Sequence, residues 1–376
     1  MDRYVDSSAA LAEATAALRR APRVAVDTEA ASFHRYKDRI YLLQLATPGT
    51  SVIIDPLAVD DLGAIGELLA DPGVEKVFHD ADYDLRVLDR DYGFHARHLF
   101  DTRVAAQLAG EPAIGLAALL EKYLGVKLSK THQKADWSQR PLSAGMLAYA
   151  ADDTRHLLDL RERLSEVLRS LGRAAWAEEE FERIEGLRWT AGQDGEEPYL
   201  RIKGSKQLQP ASLAALRELV RWRESVAQRE DKAVFRIIGN EQLLAVAQAL
   251  PADAAALAKV TGLPASLARR HGPALLEAVA RAATVPKSEL PRPMRTPRPP
   301  KDPAFDARVE KLKEARNRVA KELGIDPGVL CGRTTLEAVA RANPVPKDRA
   351  GLTKIGELRR WQVEVLGEAF LKALAA

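Results

Sequence analysis

The chain has 376 residues, 46% hydrophobic and 29% charged, enough to bury two or three cores and stay in solution. A single cysteine, Cys331, excludes an internal disulfide or a thiolate zinc cluster, and the seven histidines show no zinc-ligand spacing. Net charge is only +3, so a polyanion partner must be argued from local basic clusters; no apolar run reaches the roughly 20 residues of a membrane span and the start lacks a secretory pattern, so the cytoplasm is the expected location.

Residues 7–20 read as a helix opened by a serine cap. Three strand-like runs follow, 24–27, 40–46 and 51–54, whose short spacing implies antiparallel pairing. The first ends in Asp27-Thr28-Glu29. Residues two apart in a strand share a face, so Asp27 and Glu29 stand side by side. Two such anions in an apolar setting call for a cation, and oxygen ligands suit magnesium or manganese. Alone, an Asp-x-Glu is far more often a mere turn after a core strand, and the pair gains meaning only if later elements deliver further carboxylates.

Residues 61–69, 74–78 and 82–90 read as helix, strand and helix, the rhythm of a sheet flanked by helices, so the first half is α/β. Between Phe78-His79 and Leu85, the acids Asp80, Asp82 and Asp84 crowd a helix start, where the dipole favours negative charge. Asp84, on the first turn, can reach back toward Asp27 and Glu29. Phe100-Asp101-Thr102 leads a helix to about Ala109, residues 116–124 make another, and Ser143 caps a long one running to about Leu171. On that helix Tyr149 and Asp153, four apart, share a face. The intervening segment 125–141 carries Lys127, Lys130, His132, Lys134, Trp137 and Arg140 with too few apolar positions for core. It is either a solvated loop or a mobile flap over a polyanion.

After Ala174 the pattern is wholly helical. Ala245-Val246-Ala247 and Pro251 recur 93 residues later as Ala338-Val339-Ala340 and Pro344, and 257–260 recurs 95 residues later as 352–355, which implies a duplicated helical unit with a two-residue insertion. The two copies flank a stiff Pro/Arg-rich linker at 285–304. Few contacts are expected to cross it, so that residues 285–376 could be removed from a folded enzyme.

Asp27-Thr28-Glu29, the Asp84 segment and Tyr149-x-x-x-Asp153, in this order, resemble the three motifs of the DEDDy 3′–5′ exonucleases. The stretches 40–45, 77–79, 99–102 and 136–142 are similar to the same family. Lys203-Gly204, Trp222-Arg223-Glu224 and 235–241 resemble the HRDC domain, and 305–376 does so more loosely. An exonuclease domain followed by two HRDC domains is the order found in the ribonuclease D family. The resemblance implies a ribonuclease H-like mixed sheet at 1–200 (core about 5–172), all-α HRDC domains at 201–284 and 305–376, and a metal-dependent 3′–5′ exoribonuclease. It further implies two Mg2+ or Mn2+ ions held by Asp27, Glu29, Asp84 and Asp153, action on 3′ ends of tRNA precursors and other structured RNAs, and release of nucleoside 5′-monophosphates. Tyr149 is assigned to the attacking water; with a phenol pKa near 10, it orients that water rather than deprotonating it. His79, Lys127, Lys130, Lys134 and Arg140 are candidate RNA contacts, and the HRDC domains are candidates for structured RNA. A 3′–5′ DNA exonuclease and a non-catalytic RNA-binding scaffold are the competing readings; intact Asp27, Glu29, Asp84, Asp153 and Tyr149 speak against the second.

Overall fold

The computed structural model describes residues 2–129, 131–190, 197–292 and 302–375. Two compact units emerge, one of Met1–Glu29, Ile40–Trp189 and Pro299–Ala376, the other of Ala30–Arg39 and Thr190–Arg298.

The first unit is built on six strands: β1 (Asp2–Val5), β2 (Arg23–Ala30), β3 (Ile40–Thr47), β4 (Thr50–Ile54), β5 (Glu75–Phe78) and β6 (Leu99–Asp101), in the spatial order β1-β4-β3-β2-β5-β6. The expected antiparallel pairing holds for β3 and β4, whose hairpin sets Thr47 opposite Thr50. Gly49 in that turn has φ +79°, a conformation glycine adopts without strain. The pairs β1–β4, β2–β5 and β5–β6 are parallel. β3 is buried from Ile40 through Ala46, which is why it reads as a continuous apolar run rather than an alternation. β1 and β6 were not expected. At four and three residues they carry no periodicity of their own and exist because a neighbouring strand pairs with them.

Helices α1 (Ser8–Leu18), α2 (Gly63–Ala70), α3 (Asp82–Tyr92), α4 (Thr102–Ala109) and α5 (Leu116–Leu124) follow the sequence pattern closely. The Ser7 hydroxyl accepts from the Ala10 amide, as a cap should. The single long helix expected from Ser143 is instead two, α6 (Ala144–Arg155) and α7 (Leu157–Ser170), broken at His156 (φ −108°, ψ 2°). The break lets α6 lie against β3 and β4 while α7 turns its buried Leu157, Leu160, Leu164 and Leu168 toward α4, α5 and α8 (Ala174–Glu185). A straight helix could not satisfy both faces.

The second unit holds α9 (Pro210–Glu230), α10 (Val234–Ile237), α11 (Asn240–Ala249), α12 (Ala254–Ala258) and α13 (Ala265–Ala283) around a core of its own. The same order, with closely similar lengths, recurs in α14 (Pro303–Leu323), α15 (Pro327–Leu330), α16 (Arg333–Arg341), α17 (Arg349–Thr353) and α18 (Arg360–Ala375). Arg223 on α9 donates to the Ile238 carbonyl at 3.3 Å, and Arg316 on α14, 93 residues on, donates to the Cys331 carbonyl at 2.8 Å. Asp253 caps α12 and Asp348, 95 residues on, caps α17. The inserted pair therefore lies between Pro344 and Asp348. The duplication read from sequence is thus a duplication of structure.

The second copy does not stand apart. Its buried residues and those of the sheet domain form one apolar cluster. Trp361 stacks on Trp176 (centroids 5.0 Å, 17°), and its indole N–H donates to Glu180 at 3.1 Å. The Glu179 carboxylate accepts from the Arg360 and Trp361 amides, completing the open N-terminus of α18. Buried Arg173 bridges the Leu108 and Leu323 carbonyls at 2.7 and 2.6 Å. This corrects the expectation that few contacts join residues after the linker to the rest; the linker's own residues 293–301 lie outside the described residues.

Candidate active site

Val24, Ala25 and Val26 anchor β2 in the core, each at most 1% exposed, and carry Asp27 and Glu29 to a half-buried position beyond them. From α6, Asp153 arrives at the same spot. One carboxylate oxygen from each of Asp27, Glu29 and Asp153 lies within 4.8 Å of the others. Thr28, between them on the strand, donates from its hydroxyl to Asp84. That bond fixes Asp84, only 6% exposed, beside the trio.

The electrostatics show that the four act on one another. Burial and then the charges of Asp27, Asp153 and Asp84 hold the Glu29 carboxyl well above the ordinary range. Asp84 is likewise raised, by burial and then by Asp27. Burial pushes Asp27 up to about 6, and burial with the Asp27 charge pushes Asp153 up to about 8. Carboxylates that resist ionisation this way are matched by a divalent cation, and a set of hard oxygen donors from three chain segments fits magnesium or manganese.

The start of α3 is positioned by Asp101, which sequence reasoning passed over. Its buried carboxylate accepts from the amides of Asp80 (3.1 Å), Ala81 (2.8 Å), Arg103 (2.8 Å) and Val104 (3.1 Å), tying the β5–α3 turn to the start of α4. An aspartate directly before Thr102 at a helix start was the available signal. Asp80 takes φ +68° in this turn and pairs outward with Arg103, leaving Asp84 as the inward acid. His79 donates from Nδ1 to Thr102 Oγ1 at 2.9 Å, since that hydroxyl's own proton goes to the Phe78 carbonyl. Burial lowers its pKa to about 4, so the ring is neutral.

Tyr149 donates its hydroxyl to Asp153, as the four-residue spacing requires. Burial and the neighbouring carboxylates push its pKa still higher, so it holds its proton at any working pH. Its ring is flanked by Trp137 (6.0 Å, 39°) and, edge-on, by His132 (6.2 Å, 73°). Both come from segment 125–141. Trp137 is 1% exposed, so this aromatic is a buried wedge and not a solvated platform. Arg140 is also corrected as an RNA contact. Its five N–H groups go to the Asp55 carboxylate and the carbonyls of Tyr41, Trp137 and Gln139, which locks the segment's end onto β3 and the end of β4. Lys127 and Lys134 are exposed, Lys127 beside Glu121 at 3.6 Å. Lys130 lies outside the described residues.

Carboxylates on a strand, a helix start and a late helix, with a tyrosine on the last of them, define a 3′–5′ exonuclease. Residues 3–169 match the 3′–5′ exonuclease family and residues 212–279 and 305–374 the HRDC domain. A ribonuclease D of Pseudomonas paraeruginosa is 32% identical over 372 residues, covering 99% of this chain and 97% of its own, and one of Gluconacetobacter diazotrophicus is 34% identical over 94% and 88%. The crystal structure of Escherichia coli RNase D superposes with a TM-score of 0.69 at 28% identity over 99% of this chain and 98% of that one. The catalytic core of RRP6 from Trypanosoma brucei does so at 0.65 and 28%, over 75% and 80%. The chain belongs to the ribonuclease D family. It is an exoribonuclease acting from RNA 3′ ends.

Proposed function

We propose that the enzyme trims the 3′ ends of tRNA precursors and other structured RNAs, releasing nucleoside 5′-monophosphates. The observation that carries the site is the convergence of Asp27, Glu29 and Asp153 oxygens within 4.8 Å, with Asp84 adjoining. In this reading those four residues hold two divalent ions, Mg2+ or Mn2+. Bound there, the ions supply an activated water and stabilise the departing oxygen. Tyr149, kept protonated, orients the attacking water by its hydroxyl while Asp153 fixes that hydroxyl's direction. Lys127 and Lys134 hold phosphates of the incoming strand, with Lys130 a further candidate. Support for structured substrates comes from the E. coli relative, an exoribonuclease involved in structured RNA processing.

The proposed boundaries are an exonuclease domain with connector at 1–200, HRDC domains at 201–284 and 305–376, and a linker at 285–304. The location proposed is the cytoplasm, and the lone buried thiol of Cys331 suits a reducing compartment. Among the described residues no helix is long and apolar enough to cross a membrane.

The test compares 3′-extended tRNA precursor with matched DNA, both 5′-labelled, in Mg2+ or Mn2+. A ladder of RNA products shortening one nucleotide at a time, with mononucleotide 5′-phosphates released, is expected. Sequencing the RNAs retained by Asp153→Ala protein in cells should recover immature tRNA 3′ ends, and recovery of unrelated RNAs alone would overturn the substrate assignment. Tyr149→Phe should lower kcat about 100-fold while RNA affinity stays within about twofold, since only one hydroxyl is lost.

A further inference from the structure

The second unit contains, besides its helices, the ten residues Ala30–Arg39 that follow Glu29 from the last residue of β2 onward. This segment is pinned to the α9–α10 turn by polar contacts. The Ala233 amide donates to the His34 carbonyl at 3.2 Å, and Arg236 donates to the Phe33 carbonyl at 2.5 Å and to His34 Nδ1 at 3.0 Å. The Asp231 carboxylate accepts from the Tyr36 amide at 3.3 Å and pairs with Arg35 at 3.5 Å.

These contacts hold two phenylalanines at the surface. Phe33 is 50% exposed and Phe235 52% exposed, their rings edge-to-face at 6.3 Å. A pair of phenyl rings half in water contributes little to a core, yet here the surrounding backbone is fixed from both segments. Three of the basic residues nearby are engaged, Arg35 with Asp231, Lys232 with Glu230 at 2.9 Å, and Arg236 with the loop backbone, while Lys37 is exposed. The surface therefore presents ring faces more than free cations. Such a surface suits nucleobases, since each base has a π-face and stacking is indifferent to sequence.

Chain connectivity limits where on the RNA this surface acts. Four residue steps of about 3.8 Å separate Phe33 from Glu29, so its Cα lies no more than about 15 Å from that of a carboxylate of the site. At about 3.4 Å per stacked nucleotide, that spans roughly the last four or five bases. We propose that Phe33 and Phe235 form a base-stacking platform for single-stranded RNA a few nucleotides upstream of the bond being cut. The inference rests on the carboxylate site for the direction of the strand, and its test reads binding without turnover.

The experiment uses full-length protein carrying Asp153→Ala and octameric RNAs with 2-aminopurine placed at successive positions from the 3′ end. Fluorescence quenching is expected at one or two positions within the last five, and Phe33→Leu or Phe235→Leu should relieve it and weaken binding about tenfold. Phe235→Trp should retain both, which separates stacking from a folding defect. The slope of log affinity against log salt should be the same in the Leu variants as in the parent, because no phosphate contact is removed. No quenching at any of these positions, or Leu variants that bind as the parent does, would overturn the platform. A shallower salt slope would overturn it too, by showing that the patch holds phosphates. If turnover depended on the carboxylates but quenching were absent, the active-site reading would stand and this one would fall.

Discussion

The His132 imidazole fills the notch that Gly145 leaves on α6: a Cβ built on Gly145 would lie 2.9 Å from Nε2. Position 145 is one turn before Tyr149, so the ring that sits edge-on to the tyrosine depends on a missing methyl group. Gly145→Ala should therefore raise helix propensity by up to about 1 kcal/mol while displacing His132 at an overpacking cost of about 1–3 kcal/mol. We expect kcat to fall several-fold with a nearly unchanged melting temperature. His132→Phe, which keeps the edge-to-face packing, should leave kcat within about twofold; equal loss in both variants would show that the imidazole nitrogen itself is needed.

Asp27→Ala, Glu29→Ala, Asp84→Ala and Asp153→Ala should each lower turnover by at least about 100-fold, the scale of losing one electrostatic catalytic group. Each should also leave the fold intact, because removing one buried carboxylate relieves the others. Asp80→Ala is the control. Its side chain pairs outward with Arg103, so near parental turnover is expected, and the reverse ranking of Asp80 and Asp84 in label-release assays would refute the assignment.

The raised carboxyl pKa values also set a pH dependence of stability. The folded protein keeps protons on these groups to pH values where the unfolded chain, ionising near 4, has lost them. The folded state thus binds more protons than the unfolded, and stability falls as pH rises toward the folded values, about 8 for Asp153. His79, lowered to about 4, works oppositely below about 6.5, and Lys76, lowered by burial to about 8, works oppositely above 8. Between pH 6.5 and 8 the carboxyl groups dominate. Metal-free protein should melt lower at pH 8 than at 6.5, Asp153→Asn should flatten the difference, and millimolar Mg2+ or Mn2+ should raise the melting temperature more at pH 8. A melting temperature rising across this window would contradict the site's electrostatics.

Trp361→Ala should destabilise the first unit by about 3–5 kcal/mol, the usual loss for a buried tryptophan, and Glu179→Ala by about 1 kcal/mol through the open α18 amides. Deleting 302–376 should expose Trp176 and give a protein that aggregates or melts early. A truncated chain as stable as the parent in urea would show the stacked tryptophans to be a weak contact.

What the sequence disclosed were features of short spacing. Asp27 and Glu29 are two apart and Tyr149 and Asp153 four apart, so strand and helix geometry alone pairs them. Asp84 stood out by its place on the first turn of its helix, the resemblance to known exonucleases joined it to the other acids, and the repeat offsets exposed the duplicated helices. Contacts set by distant residues stayed hidden. Thr28 meets Asp84 across 56 positions, Arg140 meets Asp55 across 85, and Trp361 meets Glu179 across 182. Trp137 lay in a polar stretch whose average hid the one wholly buried side chain among its described residues, and the hinge at His156 carries no proline or glycine to announce it.

The stacked pair Trp176 and Trp361 has a consequence during synthesis. The face of α8 that α18 covers leaves the ribosome with α8, which ends at Glu185, but its cover is encoded at Arg360–Ala375. At about 5–20 residues per second, roughly 10–40 s pass before the partner arrives. Throughout that interval the nascent sheet domain shows an indole and an uncapped apolar seam to solvent while a whole helical module is made in between. Holding chaperones should engage this chain at lengths between about 200 and 370 residues and release it once the last helix docks, a window that ribosome profiling of chaperone-bound nascent chains would resolve.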